Sequence, residues 1–124
     1  MIRRLIDSVI LIDHLNGIGK ATEFILSLNP RETAISVITR AEILVGLDEK
    51  DQEKVKPLLD QYHLLIIDGI IADQSVPLRK SYGWRLPDAF QAALAYHHKI
   101  KLTTRNTKHF DPRKHNFVEI PYTL

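Results

Sequence analysis

The chain alternates between short apolar runs and longer stretches in which apolar residues recur every three or four positions. The short runs are rich in β-branched residues and end at polar or turn-forming residues, which is typical of buried strands. They predict strands over residues 3–7, 33–37, 63–68 and 100–104, and a fifth strand, at a sheet edge, over 116–120. The stretches between them predict helices over residues 8–15, 19–28, 39–47, 48–62, 70–83 and 85–98.

Capping residues and prolines indicate where these helices begin and end. Ser8 and Thr39 are the predicted N-caps of the first and third helices, because a short hydroxyl side chain can accept a hydrogen bond from a free backbone N–H. Pro57 is expected to break the fourth helix, and Pro77 is expected to bend or interrupt the fifth. Strands that alternate with helices predict an α/β fold with a mainly parallel central sheet flanked by helices.

Composition narrows the class of protein. The 124 residues are predicted to form a single domain over 1–124, with a hydrophobic content of 44% that is ordinary for a globular protein. The absence of cysteine excludes thiolate catalysis and cysteine-ligated zinc, and it suits a reducing compartment. No apolar stretch reaches the roughly 18 residues of a membrane span, so we expect a cytoplasmic protein without a membrane segment. The net charge of +2 permits a polyanionic partner without requiring one.

Three acids and one asparagine lie beside the predicted strands and helices. Asp7 ends the first strand, Glu42 lies on the helix after the second, Asp88 opens a late helix, and Asn106 follows the fourth strand. Each has a structural explanation when taken alone: a helix cap, an exposed helix residue, a favourable first-turn acid and a turn residue. Because ligands of open α/β sheets bind outside the carboxyl ends of the strands, Asp7 and the segment TTRN are expected at one edge of the sheet.

The order of these residues resembles the PIN domain, and most closely the VapC-type toxins of bacterial and archaeal toxin–antitoxin pairs. The resemblance is carried by the stretches LIDSVILIDHL, SVITRAEILVGL, IADQSVPLRKSYG and RLPDAFQAALAYHHKIKLTTRNTKHF. It implies a PIN-like three-layer sandwich in which Asp7, Glu42 and Asp88 are the family's three acids and Asn106 is the fourth site residue. Val9 stands where the family often has Asn, and Asn106 replaces a fourth acid, as in many related toxins.

The resemblance also implies an activity and a set of partners. Members of this group are metal-dependent endoribonucleases that usually cleave structured RNA such as tRNA or rRNA. They commonly form homodimers, and a cognate VapB-type antitoxin inhibits them by filling the active-site groove. The apolar helices near residues 9–28 and 42–47 have more hydrophobic surface than so short a chain easily covers, which supports a homodimer and an antitoxin groove.

The residue types fit this chemistry. Carboxylates without histidine or cysteine ligands suit Mg²⁺, with Mn²⁺ as a substitute, better than they suit zinc. Because the fourth position lacks a charge, we expect one tightly held ion and a second that enters only with RNA. The expected RNA contacts are Arg85 and Arg105, to phosphates, and Thr104, through a metal-bound water. Asp13 is expected at the periphery of the site, and His109 in a solvated loop.

Two other functions stay open at this point. A metal-dependent DNA nuclease or phosphatase could use the same acidic cluster, although the chain has no long insertion that would guide flexible DNA. A catalytically weak PIN-like binding module is the non-enzyme alternative, and Val9 and Asn106 leave room for it. Retention of three mutually repelling acids argues against a pure binding module, since it gains nothing from their repulsion.

Overall fold

The computed structural model describes all 124 residues and has the predicted alternation of strands and helices. Its strands are β1 (Arg4–Ile6), β2 (Thr33–Ser36), β3 (His63–Leu65), β4 (Lys101–Thr103) and β5 (Val118–Glu119). Its helices are α1 (Ser8–Leu15), α2 (Gly19–Ser27), α3 (Val37–Val45), α4 (Glu49–Leu59), α5 (Gly69–Tyr82) and α6 (Leu86–His98), with a 3₁₀ turn at Pro30–Glu32. None of these helices has the length and apolar character that crossing a membrane requires.

The strands form one parallel sheet in the order β3-β2-β1-β4-β5. From the central strand β1 the chain moves outward to β2 and β3, and then returns through α5 and α6 to β4 on the other side of β1. The direction of winding therefore reverses between β1 and β4. In open α/β sheets a crevice for ligands lies outside the carboxyl ends of the strands at such a reversal.

The sheet separates two apolar cores, because successive side chains of a strand point to opposite faces. Ile6 and Ile35 pack on one face with residues of α1, α2, α3 and α4. Leu5 and Ala34 pack on the other face with residues of α5 and α6. This arrangement confirms the predicted α/β fold with helices on both sides of a mainly parallel sheet, and every strand pair is in fact parallel.

The alanine-rich face of α6 brings that helix close to the central strands. Ala89, Ala92 and Ala93 are fully buried, and the helix contacts both β1 and β4. Small side chains permit this close approach because little volume separates the helix backbone from the sheet. The first turn of α6, which carries Pro87 and Asp88, is thereby held next to the crevice.

Two predicted helix N-caps are wrong: the observed cap lies one residue earlier for α1 and three residues earlier for α3. The N-cap of α1 is Asp7, whose carboxylate accepts a hydrogen bond from the backbone N–H of Ser8, so Ser8 is the first helical residue. The N-cap of α3 is Ser36, whose hydroxyl accepts a hydrogen bond from the N–H of Thr39. Thr39 is therefore a buried residue inside the first turn, because the helix starts directly at the end of β2.

The prolines do not divide the helices that contain them. α4 continues through Pro57 to Leu59, and α5 is continuous across Pro77 from Gly69 to Tyr82. A proline removes one backbone hydrogen bond, and both of these prolines lie on exposed helix faces where water can satisfy the freed carbonyl. The predicted break at Pro57 and interruption at Pro77 are therefore wrong.

Truncation of a buried leucine should lower the free energy of unfolding far more than truncation of an exposed leucine. We expect Leu102→Ala, at a fully buried position of β4, to lower the free energy of unfolding by about 2–5 kcal/mol through lost burial and a residual cavity. Leu26→Ala on α2, where the leucine is 78% exposed, should change it by less than about 0.5 kcal/mol. Urea unfolding of both variants measures this difference, and equal losses would contradict the position of β4 in the core.

Candidate active site

A cavity of about 180 Å³ lies at the carboxyl ends of β1 and β4, at the point where the winding reverses. All four residues predicted to form the site, Asp7, Glu42, Asp88 and Asn106, line this cavity. The other lining residues are Ser8, Val9, Arg85, Pro87, Gln91 and His109. Residues that are far apart in the sequence thus meet at one place because α1, α3, α6 and the loop after β4 all begin at this edge of the sheet.

Asp7 is buried and held by three hydrogen bonds. Oδ1 accepts from the backbone N–H of Ser8 at 2.9 Å and from Nε2 of Gln91 at 3.2 Å, and Oδ2 accepts from the hydroxyl of Thr104 at 2.8 Å. Burial raises the pKa of Asp7, these hydrogen bonds oppose the increase, and the negative charge of Asp88 adds to it. A carboxylate has about four acceptor positions, so the one that remains open is on Oδ2.

Asp88 has a buried oxygen without a hydrogen bond. Nδ1 of His109 is 2.9 Å from Oδ2 of Asp88, but the side-chain amide of Asn106 donates to the same nitrogen at 3.2 Å. When Nδ1 accepts this bond it has no hydrogen to give, and Oδ2 of Asp88 then has no hydrogen-bonding partner. An unpaired buried acceptor is unfavourable, and either a bound cation or a proton on Nδ1 of His109 would supply the partner.

Glu42 lies on the more exposed side of the cavity and is coupled to the other two acids. Its pKa is raised first by partial burial and then by the charges of Asp7 and Asp88, whereas Arg85 and the hydroxyl of Ser8 lower it. Asp7, Glu42 and Asp88 together form a region of negative potential that attracts a cation.

The side chains do not form a complete metal-binding group on their own. No three histidine, cysteine, aspartate or glutamate side chains lie close enough together to enclose an ion. Mg²⁺ commonly uses only one or two protein carboxylates and keeps several waters. Asp7 and Asp88 each have an open oxygen and could be direct ligands, while Glu42 could act through water, so the donor set fits a hard divalent cation.

Gln91 is a residue of the site that the sequence analysis missed. It is 2% exposed and lies on α6, one turn after Asp88. Its side-chain amide donates both to Asp7 Oδ1 and to the hydroxyl of Thr39 at 3.0 Å, and its own carbonyl oxygen has no partner. The available signal was one polar residue between alanines on a helix face that is otherwise buried.

Thr104, which was predicted to contact RNA through a metal-bound water, instead bonds to Asp7 and to the loop after β4 in this structure. The residue is fully buried, and its hydroxyl donates to Asp7 and accepts the backbone N–H of Asn106 at 3.1 Å. Thr104 instead joins β4 to the carboxylate at the end of β1.

The two arginines predicted to bind RNA occupy different surroundings. Arg85 is exposed, lines the cavity and has no ion-pair partner, so it is available to a phosphate. Arg105 instead holds Asp13, whose carboxylate is buried but does not line the cavity, as expected for a residue at the periphery of the site. His109 lies in the loop after β4 with its side chain 37% exposed, and it also lines the cavity. Its carbonyl accepts a hydrogen bond from the Trp84 indole at 3.0 Å.

Comparison with known proteins decides the family. The family model described as PIN domain matches residues 4–114. The chain belongs to the PIN domain family. This PIN domain is 30% identical over 112 residues to "Ribonuclease VapC10" of Mycobacterium tuberculosis, and the match covers 86% of this chain and 84% of that protein.

Solved structures have the same fold. A toxin–antitoxin complex from Klebsiella pneumoniae contains a chain that is 36% identical to this PIN domain, with a TM-score of 0.88 and coverage of 98% of this chain and 99% of that chain. FitAcB from Neisseria gonorrhoeae matches with a TM-score of 0.80 at 22% identity, covering 98% of this chain and 99% of that one. These findings confirm the resemblance that the four site residues indicated.

Neutralising Glu42 should stabilise the metal-free PIN domain at neutral pH. Because the pKa of Glu42 is raised above 4.5 by folding, its contribution to stability is fully present below pH 4.5 and is lost as pH rises through the folded pKa. Urea unfolding in EDTA should therefore show wild type losing free energy of unfolding over this range relative to Glu42→Gln. The exposed Glu23→Gln is the control, and identical pH profiles for wild type and Glu42→Gln would contradict the assigned coupling.

Removing the Gln91 amide should weaken metal binding without unfolding the protein. Gln91→Leu retains most of the side-chain volume but takes one hydrogen bond from Asp7, and loss of a partner of a metal ligand typically costs about 10–100-fold in affinity. Calorimetric titration with Mn²⁺ measures the change. Gln74→Leu, at an exposed position of α5, is the matched control, and unchanged Mn²⁺ affinity in Gln91→Leu would show that Gln91 does not support Asp7.

Proposed function

We propose that this PIN domain is a metal-dependent endoribonuclease and the toxin of a toxin–antitoxin pair. The observation that carries the proposal is that Asp7, Glu42, Asp88 and Asn106, which are far apart in the sequence, line one cavity. The similarity to a protein named as a ribonuclease supports RNA as the substrate. Structured RNA such as tRNA or rRNA is the proposed target.

The proposed cofactor is Mg²⁺, with Mn²⁺ as a substitute, held by Asp7 and Asp88 with Glu42 nearby. When bound, the ion supplies Lewis acidity that makes a water more nucleophilic and offsets charge on the scissile phosphate. Asp7 holds its open oxygen in a fixed direction because its other acceptor positions are occupied. Glu42 is exposed at the cavity mouth and has a raised pKa, so it is the proposed acceptor of a proton there.

Arg85 and Asn106 have proposed roles towards the substrate. Arg85 is free to bind a phosphate of the RNA next to the acidic cavity. The side-chain carbonyl of Asn106 can orient the attacking water, while its amide is held by His109. Because water rather than a ribose 2′-hydroxyl attacks, the products should carry a 5′-phosphate, and a 2′-O-methyl group at the cleavage site should not abolish cleavage.

An antitoxin segment is the proposed inhibitor. A second cavity of about 190 Å³ lies between α1 and α3 and includes the apolar side chains Ile12, Leu15, Ile43 and Leu47. Glu42 lines both this apolar groove and the acidic cavity. A peptide with apolar anchors followed by a basic side chain would fit both, and the related chain in a toxin–antitoxin complex supports such a partner.

A homodimer and a cytoplasmic location complete the proposal. Large apolar side chains outside the groove are exposed, including Leu26 and Val45, and such side chains commonly become buried in a subunit interface. The cytoplasm is the compartment in which the proposed RNA substrate and antitoxin would be met.

The deciding experiment is RNA cleavage by the purified protein with Mg²⁺ or Mn²⁺. Asp88→Asn retains the shape of the side chain but removes its charge, so we expect activity to fall by at least about 100-fold, beyond the usual effect of losing a partner of a metal ligand. EDTA should abolish wild-type cleavage. Asp73→Asn on α5, an exposed aspartate away from the cavity, is the matched control and should cleave as wild type does.

The substrate panel separates the alternatives. Faster cleavage of duplex or flap DNA than of RNA would replace the ribonuclease by a DNA nuclease. No cleavage of any substrate, together with no calorimetric binding of Mn²⁺, would indicate a binding module. Equal activity of Asp88→Asn and wild type, with both proteins folded by circular dichroism, would show that Asp88 serves only the first turn of α6.

A further inference from the structure

Asp13 lies at the centre of a polar network that the proposed chemistry does not use. The carboxylate is buried on α1 and receives both Nε and Nη2 of Arg105, the latter at 2.8 Å. The hydroxyl of Tyr122 donates to the same carboxylate at 2.7 Å. Three separate parts of the chain, α1, the loop after β4 and the C-terminal segment, therefore meet at one buried acid.

We propose that Asp13, Arg105 and Tyr122, together called the Asp13 clamp, position Asn106 in the candidate active site, and that Arg105 acts through Asn106 instead of binding RNA. This inference rests on the proposed ribonuclease function. Arg105 is in this sense a positioning residue, since its guanidinium is directed at Asp13.

The loop after β4 is held on two sides. Thr104 is bonded to Asp7, and its hydroxyl also accepts the N–H of Asn106. Arg105 extends to Asp13 on α1, and Asn106 returns to the cavity. Since Asp7 and Asp13 lie at the start and near the end of the same helix, α1 defines the position of the loop relative to the metal site at two points.

The hydrogen bonds of the Asp13 clamp set the orientation of the loop after β4 relative to α1, in addition to holding the two in contact. An apolar contact would also hold the loop against α1, but without direction, whereas two parallel N–H···O bonds between a guanidinium and a carboxylate specify a relative orientation. Hydrogen bonds from Arg105 hold the pKa of Asp13 below its ordinary value, so the acid stays ionised. The C-terminal segment is itself fixed, because Lys20 donates to the carbonyl of Thr123 at 2.8 Å.

The alternative role for Arg105, a direct phosphate contact, fits less well. The buried carboxylate of Asp13 neutralises the guanidinium and occupies its Nε and Nη2 edge, one of the two edges that can form a two-point contact with phosphate. Arg85 lines the acidic cavity and has no ion pair, so it is the comparison for an arginine that contacts phosphate directly.

The experiment compares Asp13→Asn, Arg105→Gln, their double variant, Tyr122→Phe and Arg85→Gln in steady-state RNA cleavage at several salt concentrations. Asp13→Asn and Arg105→Gln each break the ion pair, and we expect each to lower kcat about 10- to 100-fold while KM and the salt dependence stay unchanged. Small misplacement of a reacting group has effects of this size. The kcat of the double variant should be no lower than that of the less active single variant, because both substitutions remove the same ion pair. Arg85→Gln should instead raise KM and reduce the salt slope by about 1.

Tyr122→Phe removes the hydrogen bond to Asp13 but keeps the aromatic ring and the ion pair. It therefore tests the clamp even if Asp13→Asn fails to fold. We expect a smaller fall in kcat than in the other clamp variants, with KM unchanged. The proposal is overturned if Arg105→Gln raises KM and reduces the salt slope while Asp13→Asn or Tyr122→Phe cleaves normally. That result would make Arg105 a direct RNA contact.

NMR separates failure of the clamp from failure of the proposed function. In Asp13→Asn, whose substituted residue is distant from Asn106 in the sequence, the backbone and side-chain amide signals of Asn106 should shift and their hydrogen exchange should accelerate, whether or not the wild type cleaves RNA. Unchanged Asn106 signals would disprove the clamp alone. An inactive wild type with altered Asn106 signals in the variant would instead leave the clamp standing and reject the ribonuclease proposal.

Discussion

The Asp7 carboxylate is buried at the carboxyl end of the central strand, and its hydrogen bonds join the elements around it. Ser8 connects it to α1, Thr104 to the end of β4, and Gln91 to α6 and onward to Thr39 of α3. Burial makes the charged form unfavourable, while donors from three directions orient it. The fold therefore holds an acid with one open acceptor position at the edge of the cavity, and structure and chemistry depend on the same group.

Two buried aspartates on α1 show opposite solutions to the cost of burying a charge. Asp13 accepts three hydrogen bonds, two of them from the Arg105 guanidinium, and hydrogen bonds from Arg105 lower its pKa. Asp7 also accepts three hydrogen bonds, but no cationic side chain pairs with it, and burial raises its pKa. A carboxylate whose charge is balanced by a guanidinium gains little from a metal ion, whereas one without a cationic partner gains more. This contrast distinguishes a positioning role from a metal-binding role along one short helix.

Much of the fold followed from local patterns. The parallel sheet and all six helices were predictable because apolar spacing reflects which faces are buried. The errors were of another kind: Ser36 instead of Thr39 caps α3, and α4 and α5 continue through Pro57 and Pro77. A cap depends on where a strand ends, and the effect of a proline depends on the solvent exposure of its helix face. Neither quantity is encoded by the neighbouring residues alone.

For the site, the sequence by itself indicated that Asp7 and Asn106 lie at the same edge of a parallel sheet, because each follows a strand. Glu42, inside α3, and Asp88 joined them through the order of acids that resembles the PIN domain. Only the tertiary structure decided the roles around them. It directed Thr104 to Asp7 and Arg105 to Asp13, and it placed Gln91 among the site residues. The physical reason is that a strand or helix pattern specifies which end of the sheet a residue reaches, whereas its bonding partner is specified by side-chain directions and burial that exist only after packing.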